Sequence, residues 1–352
     1  MFGFDEWPFA VVPDAERAAS LWADRREARA ELDAILADWR RSRSSSLHLI
    51  WADLGAGKTH TLMHLRHHGL ETGAFRAIYA LLPNSTTSFV SLYSSIVAEM
   101  DWAAVAAGLP KAHTWVGHAM SVTLDWLASP VDAVRRNLAS RWLRADRLSA
   151  KECERLGVPQ PLKTVDDAVE ALTMVINALS SDGTRVVLMI DEYQRVAEGT
   201  RRQLQKVGHG VHTVFNACPK NLSLILSCAS GGSDVEFVLT PELVSRLSLR
   251  RIDLPYLDVE DVAVYLSDLF AHYRSKRSKN PMAPFTDESV RVLASYLIVD
   301  GRLDLTPRGV NDAFDYALSA LEVRKVGAPY SGAEMSSWLA DEGADLLARI
   351  HL

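Results

Sequence analysis

The sequence contains few cysteines and no long apolar run. Its three cysteines, Cys153, Cys218 and Cys228, lie far apart in sequence and form no C-x-x-C pair, so neither a disulfide framework nor a zinc site is indicated. The apolar runs, such as "VVLMI" at 186–190, are far shorter than the roughly 20 residues that a membrane span needs. The N-terminus "MFGFDEWPF" is acidic, which a signal peptide is not. We therefore expect a cytoplasmic protein that has no membrane segment.

The sequence also has no excess of positive charge. Its formal net charge of -6 argues against a protein whose whole surface binds nucleic acid, although it allows local basic patches. With 352 residues, 48% of them hydrophobic and 23% charged, the chain has an ordinary globular composition and enough length for a large core or two adjoining domains. No internal repeat or low-complexity run is present, the nearest being the short linker "RRSRSSS" at 40–46. Any DNA contact must therefore be argued locally.

A glycine-bearing loop between an apolar strand and an amphipathic helix is the first chemical motif. The stretch "LHLIWADLGAGKTHTLMHL" follows the phosphate-loop pattern G-x-x-x-x-G-K-[ST], except that Ala52 stands where the first glycine is expected. Alanine has the smallest side chain that could replace this glycine, and it is tolerated if the backbone angles there stay in the normal region. The groups that cradle phosphates and hold magnesium are present in Gly55, Gly57, Lys58 and Thr59. The sequence thus predicts a nucleotide-phosphate site, with a chance match in a glycine loop as the alternative.

Two acidic residues follow a second apolar strand. In "RVVLMIDEYQRV" the five apolar residues from Val186 to Ile190 are typical of a parallel strand that is buried on both faces. Asp191 and Glu192 come at its C-terminal end, where ligands bind in open α/β sheets. Asp191 is predicted to hold magnesium through water, and Glu192 to orient and deprotonate the hydrolytic water. The alternative is a strand that merely ends in two surface acids, and the phosphate loop upstream weakens it.

Together these residues resemble the AAA+ ATPases, and within them the initiator-like branch of origin-recognition proteins, TnsC-like transposon ATPases and bacterial defence ATPases. The resemblance implies ATP and Mg²⁺ as cofactors. It also implies an α/β fold, a P-loop AAA+ parallel sheet flanked by helices, with a helical insert and a small C-terminal helical lid. We expect an N-terminal linker and entry helix over 1–46, the α/β nucleotide-binding domain over 47–255 with its insert at about 101–161, and the lid with a C-terminal helix over 256–352.

The same resemblance predicts which residues contact the adenine base and which further loop residues contact the nucleotide. The N-terminal stretch "WPFAVVP" looks like the linker that packs on adenine in this family, which makes Pro8, Phe9 and Val11 the expected base contacts. Ala56 and His60, on either side of Gly57-Lys58-Thr59, are expected to contact the nucleotide as well.

Two sensor positions are implied farther along the chain. "NLSLILSCASGG" is similar to the family's strand that ends in sensor 1, a residue that hydrogen-bonds the γ phosphate or the water. The family prefers Asn or Thr there, whereas this chain offers Ser227 or Ser230, and Ser230 is the preferred candidate. "DLTPRGV" opens a helix with Thr306 as its cap and Pro307 next, so that Arg308 falls in the first turn. In the family, the sensor-2 arginine of the lid lies in that turn and touches the γ phosphate of its own subunit.

An arginine finger is implied between the two sensors. The family carries the arginine that reaches the ATP of a neighbouring subunit in the segment that corresponds to "LTPELVSRLSLRRIDLPYL". Arg246 matches its position, and Arg250 and Arg251 are close competitors. A guanidinium suits the role because its charge is permanent and its fork matches phosphate oxygens. The alternative is an arginine that is solvated on a helix.

The resemblance predicts an ATPase that forms a homo-oligomer, a ring or a filament, at whose subunit interfaces ATP is hydrolysed. The insert "VRRNLASRWLRADRLSAKECERLGV" and the helix "KTVDDAVEALTMVINAL" look like ATPases of BREX-type phage-defence systems, so we favour a role in phage defence with an effector or nuclease as protein partner. Transposition, with a transposase partner and target-DNA selection, is the rival role. A third reading is a nucleotide-stabilised scaffold with little hydrolysis. Only 44 residues follow Arg308, too few to expect a winged-helix DNA domain.

Three basic patches are candidates for DNA contact. They are Arg135, Arg136, Arg141, Arg144 and Arg147 with Trp142 in the insert, Arg274, Lys276, Arg277 and Lys279 in "YRSKRSKN", and Arg201, Arg202 and Lys206 in "TRRQLQK". Such clusters can neutralise phosphates, but each could equally be a solvated helix face. No recognition helix or zinc finger is visible in the sequence, so we expect any DNA binding to be independent of base sequence.

Overall fold

The structure is a computed structural model of the chain. It describes residues 3–9, 17–23, 26–84, 86–109, 118–230, 234–248, 251–274, 280–300, 303–324 and 327–350. The chain divides into two compact units. The first contains 1–30, 52–64 and 253–352, and the second contains 31–51 and 65–252.

One five-stranded sheet organises the strands. They are β1 (Ser46–Ala52), β2 (Phe75–Leu81), β3 (Arg185–Asp191), β4 (Leu222–Ala229) and β5 (Ile252–Asp253). The order across the sheet is β2-β3-β4-β1-β5. β3 pairs in parallel with both of its neighbours, so that Leu81 lies opposite Asp191 and Leu226 lies opposite Ile190. Every residue of β3 is buried, as expected for a parallel strand that is covered on both faces, and the predicted α/β fold is confirmed.

Helices precede, separate and follow the strands along the chain. They are α1 (Arg26–Arg41), α2 (Lys58–Thr72), α3 (Phe89–Ala98), α4 (Trp102–Gly108), α5 (His118–Ala128), α6 (Ala133–Leu143), α7 (Ala150–Leu156), α8 (Val165–Leu179), α9 (Arg201–Ala217), α10 (Val235–Val238), α11 (Pro241–Val244), α12 (Val259–His272), α13 (Asp287–Ser295), α14 (Pro307–Val323) and α15 (Gly332–Ile350). Short 3₁₀ turns cover Arg17–Ser20 and Tyr193–Val196, and a π turn covers Tyr296–Asp300. α4 to α7 fall within the segment that the sequence predicts as an insert. No helix in the described ranges is both long and apolar enough to cross a membrane.

The core of the second unit forms between the sheet and helices α3, α8 and α9. Phe89 of α3, Leu172 of α8 and Leu188 of β3 are almost fully buried in it. Gly210 allows α9 to lie close to α3, because a Cβ atom at this position would lie 2.3 Å from the Phe89 ring. The insert shares this core through Trp142, whose indole N–H donates to the Gln160 carbonyl over 2.9 Å.

The first unit has its own core, built from α12 to α15 and the N-terminal segment. Phe270, Phe314 and Trp338, from three different helices, are fully buried in it. Phe4 and Phe9 pack on Phe270, with ring centroids 5.0 and 5.7 Å away respectively. The apolar faces of the lid helices are therefore buried within their own unit.

Candidate nucleotide site

The loop that follows β1 has the backbone geometry that phosphate binding requires. Ala52 is the buried last residue of the strand and has no positive φ, so the condition under which alanine can replace the first glycine is met. Gly55 and Gly57 have φ values of +77° and +94°, in the left-handed region that favours glycine. A Cβ atom added at Gly57 would meet nothing within 4 Å, so that its backbone is open to a bound group.

The lysine of the motif is held against the loop. Lys58 is the first residue of α2, where the helix dipole favours anions, and its side chain is almost fully buried. Its ammonium donates to the carbonyls of Ala52 over 3.0 Å and Asp53 over 2.8 Å. Thr59 follows in the same first turn. Backbone amides, a helix N-terminus, an ammonium and a hydroxyl thus converge here, and this donor set fits a nucleotide phosphate with Mg²⁺.

The first turn of α14 lies directly against this loop. Thr306 caps the helix by accepting a hydrogen bond from the Gly309 amide over 3.2 Å, and Pro307 and Arg308 follow in the predicted order. A Cβ atom added at Gly55 would lie 3.0 Å from both Arg308 Cβ and Thr306 Oγ1. The structure thereby brings Arg308 to the phosphate loop within one unit. Its contact with a γ phosphate stays a prediction.

A tyrosine that sequence reasoning does not single out also contacts the loop. The Tyr256 hydroxyl donates to a carboxylate oxygen of Asp53, and this bond to the ionised carboxylate raises the pKa of Tyr256 to about 12. No local pattern marks this pair, because Tyr256 follows β5 and lies far from the loop in sequence. The bond anchors the loop to the segment that leads into α12.

Two histidines on α2 hold the N-terminal segment. His60 Nε2 donates to the Leu21 carbonyl over 2.8 Å, and His64 Nδ1, one turn later, donates to the Ala19 carbonyl over 2.8 Å. The ring of His64 also lies 4.9 Å from that of Trp22. Burial lowers the pKa of His60. The predicted nucleotide contact of His60 stays a prediction, and the contact that the structure gives it is to the backbone of the N-terminal segment.

The expected adenine-binding residues lie in the core of the first unit or outside the described ranges. Pro8 is buried, and the Phe9 ring is packed between Trp7 and Phe270, at centroid distances of 6.0 and 5.7 Å. Trp7 in turn donates its indole N–H to Asp315 over 2.9 Å. Val11 lies outside the described residues. Base contact by Pro8, Phe9 and Val11 therefore stays a prediction, and Phe9 is a core residue of its unit.

At the end of β3, Asp191 is fully buried and oriented by two donors. The Tyr79 hydroxyl donates to Asp191 Oδ2 over 3.1 Å, and the Glu192 amide donates to Oδ1 over 2.9 Å. Burial, together with the charge of Asp191, raises the pKa of Tyr79, so Tyr79 stays a hydrogen-bond donor at neutral pH. The sequence does not predict this contact, since it depends on how β2 and β3 pair.

Glu192 has both an unusual backbone and a fixed side chain. Its φ of 58° and ψ of 36° are left-handed, which costs a residue with a side chain about 1–2 kcal/mol. The Gln194 amide donates to Glu192 Oε2 over 2.9 Å, and Arg195 lies 3.4 Å from the same oxygen. Gln194 Oε1 accepts from the Ala229 amide over 3.0 Å, so the carboxylate is tied to the end of β4. Backbone strain of this kind concentrates at functional positions.

The remaining candidates occupy contrasting positions. Ser227, inside β4, is fully buried and its hydroxyl has no hydrogen-bond partner among the described residues, whereas Ser230 lies half-buried just beyond the strand. Arg246 is exposed in the turn after α11, and Arg251 is also exposed. Arg250 lies outside the described residues. An exposed guanidinium is what contact with a second subunit requires, and the roles of these residues stay predictions.

Solved structures share the fold over nearly the whole chain. The Aeropyrum pernix ORC2 protein in ADPNP-ADP complexes matches with a TM-score of 0.57 at 11% identity, over 99% of this chain and 72% of that chain. The Aeropyrum pernix ORC1 protein in complex with DNA matches with a TM-score of 0.53 at 16% identity, over 98% of this chain and 71% of that chain. The chain shares its fold with these two proteins. At these identities the likeness establishes the fold alone.

The Cdc6p protein of Pyrobaculum aerophilum also shares the fold. It matches with a TM-score of 0.50 at 13% identity, over 90% of this chain and 66% of that chain. No protein-family profile and no curated protein sequence matches the chain. The finer resemblance to defence and transposon AAA+ proteins stays a prediction.

Proposed function

We propose that the chain is a Mg²⁺-dependent ATPase whose phosphate loop binds ATP. The observation that supports this most directly is the contact between Gly55 of the loop and the turn that carries Arg308. Two motifs that lie far apart in sequence, a phosphate loop and a lid arginine, meet in one unit. A glycine loop with no nucleotide function would have no need of a neighbouring cation.

The residues divide the chemical work among themselves. Bound ATP with Mg²⁺ supplies the phosphoryl group that is transferred to water. The backbone from Gly55 to Gly57 and the Lys58 ammonium would bind phosphate oxygens, and the Thr59 hydroxyl and, through water, the Asp191 carboxylate would hold the ion. Arg308 adds a permanent positive charge beside the loop.

Glu192 is the proposed general base. It accepts a proton from the attacking water, and a positioned carboxylate in this role contributes on the order of 10²–10⁴-fold in rate. Gln194 and Arg195 hold its carboxylate through Oε2, which leaves Oε1 for the water. Ser230 is the preferred partner for the γ phosphate or the water, and Ser227 is its alternative.

Assembly into a ring or filament would complete the site through Arg246. Its exposure is consistent with an arginine finger that reaches the nucleotide of a neighbouring copy, and Arg250 and Arg251 are the alternatives. ATP binding would then favour the assembled state, and hydrolysis would favour its disassembly. The bound nucleotide would thereby control the contacts with partners.

The role we propose for this switch is DNA-associated phage defence, together with an effector or nuclease. Among the proteins that share the fold, one is described in ADPNP-ADP complexes and another in complex with DNA, which supports nucleotide and DNA as ligands here. Target selection in transposition, with a transposase as partner, is the second candidate role.

A nucleotide-stabilised scaffold is the candidate from a different functional class. Ala52 and a serine at sensor 1 favour it, whereas the strained Glu192 and the contact of Arg308 with the loop favour turnover. A scaffold would bind ATP as tightly as an enzyme does and would be indifferent to the loss of Glu192.

Equilibrium binding of ATP with Mg²⁺ tests the site itself. Lys58→Ala removes charged hydrogen bonds worth about 1.5–3 kcal/mol each, so its Kd should rise at least about tenfold. Arg308→Ala should also raise the Kd for ATP. Arg29→Ala, an exposed arginine of α1, is the matched control and should leave the Kd unchanged. Wild-type affinity in Lys58→Ala would refute the phosphate-loop assignment.

A further inference from the structure

Helix α9 carries positive charge only. Its sequence "RRQLQKVGHGVHTVFNA" contains two arginines, one lysine and two histidines, and it contains no aspartate or glutamate. Arg201, Arg202, Lys206 and His209 are exposed. The opposite side, with Leu204, Val207, Val211 and Val214, is buried in the core of the second unit. The cations therefore lie on the face that the packing of the helix leaves free.

The positions of these cations oppose the helix dipole. The first turn of a helix favours acidic residues, and α8, α12 and α13 each have two acidic residues there. The first turn of α9 has Arg201 and Arg202 instead. A capping box satisfies the Thr200 and Gln203 amides at its N-terminus, and the two arginines, which are hydrogen-bond donors, cannot contribute to this cap. A local rule that is broken without local compensation points to an external partner.

The two arginines and the lysine of α9 have no ion-pair partner in the described part of the chain, whereas His209 interacts with the charge of Glu242 on α11. Arg201, Arg202 and Lys206 form no ion pair with any described residue, and neither Glu198, just before the helix, nor Glu242, on the adjoining α11, pairs with them. Their charge therefore remains available to a ligand.

In the insert, by contrast, arginines are engaged within the protein. Arg141 is paired with Glu152 over 2.5 Å. Arg135 lies over the Trp126 ring at 4.3 Å and within 3.6 Å of Asp132. These side chains stabilise the insert itself, so they are weaker candidates for binding a ligand.

The patch near α12 is likewise engaged where it is described. Arg274 lies 4.2 Å over the Phe4 ring and donates to the Pro281 carbonyl over 2.8 Å. Lys276, Arg277 and Lys279 lie outside the described residues. Of the three basic patches in the sequence, α9 is thus the one in which every arginine and lysine is described, exposed and without an ion pair, whereas in the insert this holds only for Arg136, Arg144 and Arg147.

We propose that the exposed face of α9 binds the phosphate backbone of DNA, a refinement that rests on the DNA-associated function proposed above. Arg201 and Arg202 are adjacent in the first turn and Lys206 follows about one turn later, so these three charges span about 7.5 Å along the helix axis at about 1.5 Å per residue. At about 3.4 Å per phosphate on one strand, this length matches about three phosphates. Arginine and lysine contacts to phosphate position DNA without reading its bases.

The placement of α9 gives this surface a functional context. The helix begins shortly after Glu192, and the turn Tyr193–Val196 lies between them. Tyr193 and Val196 are fully buried in the same core as Val207. DNA on this face would contact the element that directly follows the proposed catalytic turn.

The test is binding of a short fluorescent duplex over a series of salt concentrations. The variant Arg201→Gln/Arg202→Gln/Lys206→Gln should raise the Kd at least about tenfold and lower the slope of log K against log salt by about 2.7, at about 0.9 per phosphate contact. The matched control Arg135→Gln/Arg136→Gln/Arg144→Gln removes the same charge from the insert and should keep the wild-type slope. Arg201→Lys/Arg202→Lys should also keep it. Equal ATP affinity and equal thermal unfolding of all variants verify that each is folded.

Four outcomes would overturn the proposal. The α9 variant could bind the duplex as the wild type does, or the insert control could lose the slope instead. A polyglutamate competitor that displaces the duplex with equal potency would indicate an acidic protein ligand for this face. If the wild type binds no duplex at any salt concentration yet binds and hydrolyses ATP, this proposal and the DNA role both fail, while the ATPase assignment stands.

Discussion

Ala52 illustrates how a single residue departs from a motif without loss of chemistry. The first glycine of a phosphate loop eases the exit from the strand, and here the strand continues through Ala52 with ordinary backbone angles. The left-handed conformations that need glycine occur at Gly55 and Gly57, where the sequence has kept it. The substitution is therefore compatible with a functional loop.

His60 should make stability depend on pH. Burial lowers its pKa below 6.5, so the folded chain keeps it neutral while the unfolded chain becomes protonated below pH 6.5. The free energy of unfolding should therefore be highest above pH 6.5. It should fall as the pH drops below 6.5, by up to about 1.4 kcal/mol per pH unit from this histidine. Urea unfolding between pH 7.5 and 5 should show a smaller loss in His60→Gln. The exposed His209→Gln is the control, and an unchanged loss in His60→Gln would contradict this assignment.

At the scale of elements, the contact between the phosphate loop and α14 predicts a difference between two glycines. Gly55→Ala and Gly57→Ala both force alanine into a left-handed conformation, at a cost of about 1–2 kcal/mol. Only at Gly55 would the added Cβ atom meet Arg308 and Thr306, so an overpacking cost of about 1–3 kcal/mol should be added there. Urea unfolding of the two variants measures the difference. Equal destabilisation would mean that α14 does not rest on the loop.

The turn after β3 predicts that Gln194 positions Glu192. Gln194→Leu removes the amide that links Glu192 to Ala229 and should lower kcat about 10- to 100-fold with little change in KM, because a small misplacement of a catalytic group has this effect. Gln194→Asn keeps the amide and should recover part of the rate. Gln205→Leu, an exposed glutamine of α9, is the control. A merely structural Gln194 would change stability and leave kcat unaltered.

Local patterns predict the elements around the site and miss contacts between them. The buried run of β3, the strand before the phosphate loop and the Thr306 cap of α14 follow from periodicity and capping chemistry, which act within a few residues. Tyr79 and Tyr256 are missed because their partners lie on other elements. Gln194 lies only two residues after Glu192 in sequence, yet its contact depends on the left-handed turn at Glu192.

At the scale of the whole molecule, the arginine finger predicts that activity depends on neighbouring copies. Lys58→Ala subunits keep Arg246, and Arg246→Ala subunits keep the phosphate loop, so each variant alone should be nearly inactive and an equimolar mixture should regain hydrolysis. Loss of a finger lowers the rate by about 10³-fold or more. The Arg251→Ala variant, mixed in the same way, is the comparison. An active Arg246→Ala protein, or a mixture that remains inactive, would remove Arg246 from this role.

The sequence alone predicts the fold class of the whole chain and leaves its biological role open. The phosphate loop and the acidic strand predict an α/β fold built on a parallel sheet, and the structure has a five-stranded sheet in which β3 pairs in parallel with both neighbours. The choice between defence and transposition depends on partner proteins, which leave no local pattern in one chain. The preference for α9 over the other basic patches emerges only from the ion pairs, since all three patches have similar sequences.

Steady-state release of phosphate from ATP tests the central claim, a hydrolytic site built on the phosphate loop and Glu192. The wild type should turn over, and its rate should rise with protein concentration. Lys58→Ala should be inactive because it no longer binds ATP, and Glu192→Gln should lose at least about 100-fold in rate while it still binds ATP. ATP binding without turnover in the wild type, or a wild-type rate in Glu192→Gln, would contradict the account and favour the scaffold.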